Sequence, residues 1–146
     1  MTFPTHILLG AIIGKVAGNY SIGLVSSAVI DVDHLQSYAK HKVLFRPKKL
    51  WHALTDQKDE WGDQRGILHN IAFFAVASMV LIFLFPKIGI LISVGWFGHI
   101  LLDALDNSDY YPLYPNKSIN LRGPIKYGTW QEAVFFVFLL FVYVFI

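Results

Sequence analysis

The sequence predicts an all-α, polytopic membrane bundle of about five helices, with a metal site at one membrane face. Two observations carry that expectation. Hydrophobic residues make up 55% and aromatic residues 16% of the 146-residue chain, too apolar for a soluble domain of this size. Histidines and acids then recur at the ends of the apolar stretches: His6, Asp31-Val32-Asp33-His34, His69, His99 with Asp103, Asp106 and, more weakly, Glu132. A chain folding back and forth gathers these groups at a single surface.

Residues 7–30 read as two short helices joined at Gly18-Asn19, a turn-prone pair. One continuous span would separate His6 from Asp31 across the bilayer and hold Lys15 and Asn19 at mid-depth, where charge is costly. In the hairpin, Gly10, Gly14 and Gly18 recur at every fourth position, a small-residue stripe that admits a neighbouring helix and carries His6. Residues 35–66 read as a polar loop, the stretch long enough for a lid. Ile67–Phe85 is long enough to cross the hydrocarbon, whereas 88–102 and 133–146 reach that length only with their flanks. Pro86-Lys87 marks a tight turn. Residues 107–128, rich in proline, glycine and tyrosine, form a second irregular loop over the site. The apolar run at the N-terminus lacks a basic residue before Lys15 and a small-x-small cleavage pattern, so it reads as mature structure.

With five segments in up-and-down order, the acids and all of the 12 Lys and Arg residues except Lys15 and Lys87 fall on one side. Basic residues near span ends are retained in the cytoplasm. The expected protein is therefore integral to the inner membrane, with its site facing the cytoplasm and its C-terminus outward.

His99 and Asp103 are four apart on a helix, with Asp106 three further on, so they share a face and can close on one ion. A polar pair snorkelling at a helix end is the plain alternative. Asp31-Val32-Asp33-His34 offers two carboxylates and an imidazole, the ingredients of a two-metal hydrolytic site; the alternative, a solvated helix C-terminus, sets acids against the macrodipole. Arg65 lies near His69 and suits bidentate phosphate binding, or marks the interface. Glu132 follows Thr129 in a capping-box pattern, a role as well founded as metal ligation. His41 and His52 read as surface residues. Without cysteine, any metal must sit on imidazole and carboxylate, which suits zinc, manganese or iron.

The ordered set Thr5-His6, Asp31-Val32-Asp33-His34, Arg65-Gly66-Ile67-Leu68-His69, Gly98-His99-Ile100-Leu101-Leu102-Asp103 and Leu113-Tyr114-Pro115 resembles the LexA-regulated, YdjM-like family of membrane-bound metal-dependent hydrolases. The family is distantly similar to zinc-dependent phospholipases C. Ile30 stands where that family commonly has proline, Gln64 where it often has histidine, and Asn70 where serine usually follows the histidine. The resemblance implies a single metal-dependent hydrolase-like domain over residues 1–146, with a phospholipase-like site.

The expected function is hydrolysis of a phosphoester in a membrane lipid or lipid-linked substrate by a metal-activated water. The expected ligands of one to three divalent ions, zinc first and manganese or iron otherwise, are His6, Asp31, Asp33, His34, His69, His99, Asp103 and Glu132. Arg65 and Asp33 are the expected catalytic residues. Lys40, Lys42, Arg46, Lys48 and Lys49 would draw anionic headgroups by surface potential. No nucleic-acid partner is expected, and the sequence leaves the oligomeric state open. A non-catalytic metal-binding or ion-transport protein is the alternative, although transporter sites favour the bilayer midplane. A small adaptor would need no metal.

Overall fold

The computed structural model describes residues 1–55 and 59–146; residues 56–58, within the polar loop expected at 35–66, lie outside the described residues. Among the described residues seven α-helices follow in order: α1 (Phe3–Ala17), α2 (Tyr20–Ala28), α3 (Val32–Lys40), α4 (Pro47–Thr55), α5 (Ile71–Leu84), α6 (Pro86–Leu105) and α7 (Trp130–Phe145). Two 3-10 turns, Val29–Asp31 and Ile67–His69, interrupt them. No strand occurs among the described residues, which hold only isolated bridges between Asp106 and Ile125 and between Tyr110 and Leu121.

The hairpin expected at residues 7–30 is present as α1 and α2. Gly18 ends α1 at φ 68°, left-handed backbone that glycine adopts without strain. The Asn19 side chain accepts a hydrogen bond from Ile22 N at 3.1 Å and caps α2. Gly18 therefore belongs to the turn, with open space around it, and not to the packing stripe. Gly10 and Gly14 do pack: a Cβ on Gly10 would lie 2.7 Å from the Gly23 carbonyl oxygen, so α1 and α2 touch backbone to backbone.

The apolar segment at 67–85 does not run as one helix. Asn70 adopts an extended conformation and its Oδ1 accepts from Ala72 N at 2.8 Å and Phe73 N at 2.9 Å, so α5 starts only at Ile71. Among the described residues the helix long and apolar enough to cross a membrane is α6, of 20 residues, while α1, α5 and α7 are apolar but shorter. Pro86 occupies the first turn of α6 immediately after Phe85, where its missing N–H costs nothing. The expected loop at 35–66 also contains structure, namely the end of α3 and all of α4.

Antiparallel α5 and α6 pack together, and α6 also contacts α2 and α1. α1 and α7 run parallel: Glu132 at the start of α7 accepts from Thr2 and Thr5, and Lys15 Nζ near the end of α1 donates to the Tyr143 carbonyl at 2.7 Å. The buried core is small, built on Ile30, Trp96, Ile100 and Tyr110, and lies toward the C-terminal half of α6. Elsewhere large apolar side chains stay uncovered, among them Met79 and Phe83 on α5 and Val137, Phe141 and Phe145 on α7. Apolar surface on this scale marks a face built to meet a membrane or another protein.

Asp63 ties residues 59–66 to α3, accepting from Ser37 Oγ at 2.6 Å and Lys40 Nζ at 2.5 Å and lying 3.0 Å from His41 Nε2. His41 stacks on Trp61 at 4.3 Å, so it is part of this clasp and not a free surface residue. Burial raises the Asp63 carboxyl, but the hydrogen bonds from Lys40, Ser37 and His41 outweigh it and hold the group at about 2. Because its folded value lies below the unfolded one, about 3.9, the clasp is fully stabilising above that pH and is lost as pH falls toward 2. A nitroxide at Glu60→Cys should gain mobility over that window, and Asp63→Asn should show the mobile spectrum at neutral pH. An unchanged spectrum in the variant would count against the clasp.

Candidate metal centre

Five separate elements deliver the site. α6 places His99 and Asp103 one turn apart, α1 brings His6, the first 3-10 turn brings Asp31, α3 brings Asp33 and His34, and the second 3-10 turn brings His69. Three overlapping groups result, namely His6, Asp31 and His99; Asp31, His34 and His69; and His69, His99 and Asp103. Within each, one ligand atom per residue lies within 4.8 Å of the others.

The imidazoles are held from behind. His99 Nδ1 is 2.6 Å from the Ser27 carbonyl, which can only accept, so the proton sits on Nδ1 and Nε2 faces the centre. His69 Nδ1 lies 3.2 Å from Asp33 Oδ2, the carboxylate–histidine arrangement that orients metal ligands. The two Nε2 atoms consequently meet at 3.2 Å. Two inward lone pairs at that distance repel unless a cation or proton lies between them. His6 stacks on His99 at 3.8 Å and is 1% exposed, yet neither of its ring nitrogens has a hydrogen-bond partner. Buried polar atoms without partners cost free energy; an ion held with Asp31 and His99 would take one nitrogen of His6, and an ion held with Asp103 would separate the facing pair. The nitrogen and oxygen donor set thus fits such an ion.

Not every expected ligand faces the centre. Asp33 belongs to none of the three groups; its Oδ2 accepts from Leu68 N at 2.7 Å, and it acts on the site through His69. Glu132 also lies outside them, with Oε1 taken by Thr2 and Thr5 and Oε2 accepting from Gly128 N at 2.8 Å, so it joins α7 to α1. Asp106 is fully buried and supports Arg65. The guanidinium expected to meet phosphate is itself 7% exposed and donates to Asp103 Oδ2 at 2.8 Å, Asp106 Oδ2 at 3.2 Å and the Asp109 carbonyl at 2.7 Å. Of its five N–H donors, two remain for other partners. The Met1 nitrogen also lies 2.8 Å from both Asp103 Oδ1 and Asp106 Oδ2.

Burial alone would raise the Asp31 carboxyl; the His34 hydrogen bond above all, with the His99 and His6 rings beside it, outweighs burial and holds the group at about 2. Asp31 is therefore anionic at neutral pH.

Other supports had no sequence signal. Tyr110 Oη donates to the His69 carbonyl at 2.7 Å, and Trp96 Nε1 donates to the Leu68 carbonyl at 2.7 Å, fixing the 3-10 turn that carries His69. Gly66 lies against the Asp33 carboxyl, where an added Cβ would approach its Cγ to 3.1 Å. The Leu113-Tyr114-Pro115 stretch sits beside the start of α5, where Asn70 Nδ2 donates to the Tyr114 carbonyl. Asn70 thus performs the capping that a serine could also supply, while Ile30 fills the core at 2% exposure.

A cavity of about 470 Å³ opens beside the cluster. Asp31, His34, Arg65 and Asp106 line it on one side, and Phe3, Val32, Leu35 and Leu54 contribute apolar lining.

Apolar helices whose boundary-level residues converge on a nitrogen and oxygen cluster define a helical membrane-type protein with a candidate metal centre. The chain belongs to the YdjM inner membrane protein family, whose model matches residues 1–146. No curated protein and no solved structure matches it.

Proposed function

We propose that the chain is a membrane-bound metal-dependent hydrolase that cleaves a phosphoester of a lipid or lipid-linked substrate. The observation that supports this reading is the facing of His69 and His99 Nε2, 3.2 Å apart, next to a cavity that is part charged and part apolar. His69, His99 and Asp103 would hold one divalent ion; alternatively His6, Asp31 and His99 would hold one and Asp31, His34 and His69 a second, with the Asp31 carboxylate shared between them. Because each imidazole turns a single nitrogen inward, the overlapping groups accommodate one or two ions at a time, with zinc suited to the donor set. When bound, such an ion brings the pKa of a water toward neutrality and offsets charge on a phosphoryl oxygen.

The chain's own residues do the rest. Asp33 and the Ser27 carbonyl orient the two imidazoles, and Arg65 locks Asp103 while its two uncommitted N–H groups are available to a phosphate in the cavity it lines. Asp33 is on this reading a positioning residue. The apolar lining accommodates the hydrocarbon part of an amphiphilic substrate.

α1, α2, α5, α6 and α7 would form the five-helix membrane bundle, with the site at its cytoplasmic face. The distribution of Lys and Arg, with Lys15 and Lys87 alone at the far end, supports that orientation. Gln36 is exposed and Ser37 is buried, so cysteines at Gln36 and Lys87 are the suitable reporters. They should react with an impermeant maleimide from opposite sides of the membrane; reaction from one side only would overturn the topology.

The test of function is elemental analysis of purified protein together with a panel of phosphoester lipids. One or two equivalents of metal are expected, with hydrolysis abolished by chelation and restored by zinc, manganese or iron. Metal without hydrolysis of any member would favour the ion-binding alternative. Protein equally stable after exhaustive chelation, and holding no metal beforehand, would overturn the centre itself.

A further inference from the structure

α4 has no buried residue, yet its sequence is divided sharply. Pro47, Leu50, Trp51 and Leu54 fall along one face at helical spacing, and Lys48, Lys49 and Thr55 along the other. Trp51 is 69% exposed, Leu54 42%, and Phe45 just before the helix 92%. The start of the helix is nevertheless fixed, because Val43 is buried at 4% and its N–H bonds the Tyr38 carbonyl at 3.0 Å, and Arg46 N bonds the Val43 carbonyl at 2.9 Å. Lys40 pairs with Asp63, but Lys42, Arg46, Lys48 and Lys49 have no carboxylate partner among the described residues.

Two placements identify what covers this face. Ala53 and Leu54 line the cavity, and the cavity lies at the C-terminal end of α6, the helix long enough to span a bilayer. α4 is thus held at the level of a membrane boundary. A short helix with a tryptophan and leucines on one side and unpaired lysines on the other matches the interface of an anionic leaflet in both polarity and charge. Phe3, Val32 and Leu35, exposed at 55%, 49% and 53%, continue the apolar edge of α4 around the cavity mouth.

We propose that α4 is an interfacial helix lying in the headgroup layer of an anionic leaflet, and that its inner edge joins Phe3, Val32 and Leu35 as the lip over which a lipid chain enters the cavity. The seating of α4 stands by itself; the lip rests on the cavity being the substrate site. A soluble substrate would need no such edge.

The chain contains no cysteine, so single nitroxides can be placed at Trp51→Cys, Leu54→Cys, Lys48→Cys and Lys49→Cys in the full protein, reconstituted in phosphatidylcholine with or without phosphatidylglycerol. Power saturation should show oxygen contact exceeding nickel-chelate contact at 51 and 54 and the reverse at 48 and 49. That contrast should shrink without phosphatidylglycerol, or when Arg46, Lys48 and Lys49 are replaced together by glutamine in the labelled 51 and 54 variants. Equal accessibility at all four positions in both membranes overturns the seating. Dipolar broadening between copies would assign the face to a second chain and also overturn it. For the lip, phosphatidic acid with a chain-terminal diazirine should crosslink to cavity residues, with severalfold loss in Leu35→Trp. If this lipid fails to crosslink while a water-soluble phosphoester is hydrolysed, the lip is wrong and the hydrolase stands; if neither reacts, the functional reading falls with it.

Discussion

Asp103→Ala should strip the protein of metal and also lower its stability by about 3–5 kcal/mol, the range found when one partner of a buried ion pair is removed. The carboxylate is 1% exposed, and its Oδ2 receives Arg65 Nε at 2.8 Å while its Oδ1 lies 3.3 Å from His6 Nε2. Truncation leaves a guanidinium that is only 7% exposed beside the single remaining carboxylate, Asp106. From helix spacing alone, the same substitution is expected to remove the ion and leave the fold intact; the buried Arg65 makes it structural as well. Asp103→Asn keeps the shape but removes the charge and leaves one acceptor oxygen, so it should lose metal with a smaller drop in unfolding midpoint. Arg65→Ala should destabilise through the converse fault, since two buried carboxylates lose the guanidinium and share the Met1 nitrogen. Thermal unfolding in detergent alongside metal content reads both effects. Full occupancy and an unchanged midpoint in Asp103→Ala would show the centre to be drawn wrongly.

His99→Ala should give the largest loss of metal of any single histidine substitution among His6, His34 and His99. His99 stands in two of the three candidate groups, whereas His6 and His34 each stand in one, and His34 retains 23% side-chain exposure. Removing the ring also removes the stacking surface of His6 at 3.8 Å. Asp33→Ala, which touches no ion on this geometry, should weaken metal affinity about 10–100-fold by freeing the His69 ring. Glu132→Ala should leave metal content unchanged and loosen the contact between α1 and α7, because its carboxylate is committed to Thr2, Thr5 and Gly128. Metal titration of the His6, His34, His99, Asp33 and Glu132 alanine variants orders them. A Glu132→Ala loss as large as that of His99→Ala would contradict the separation of Glu132 from the cluster.

Residue spacing made parts of the site legible. His99 and Asp103 share a helical face by periodicity alone, and the apolar runs identify the helices that bracket the cluster. The turn at Gly18-Asn19 is equally local, written in the conformational freedom of one residue and the capping side chain of the next. The break before α5 was less visible, since Asn70 interrupts an apolar run that composition reads as continuous. α4 is not legible in the sequence, because a short helix with lysines and one tryptophan has the composition of a polar loop until its face can be seen.

Local chemistry along the chain determined the all-helical character, the apolar helices, the membrane family and the residues able to bind an ion. Tertiary structure alone decided which of those residues face one another. The choice between Asp33 as ligand and Asp33 as support for His69, or between Arg65 as phosphate clamp and Arg65 as partner of Asp103, depends on contacts between residues about 36–38 positions apart in the chain. Helical periodicity governs neighbours within a turn or two. Which ring turns inward is settled by a backbone carbonyl on another helix, as Ser27 settles it for His99, and no pattern of side chains encodes that.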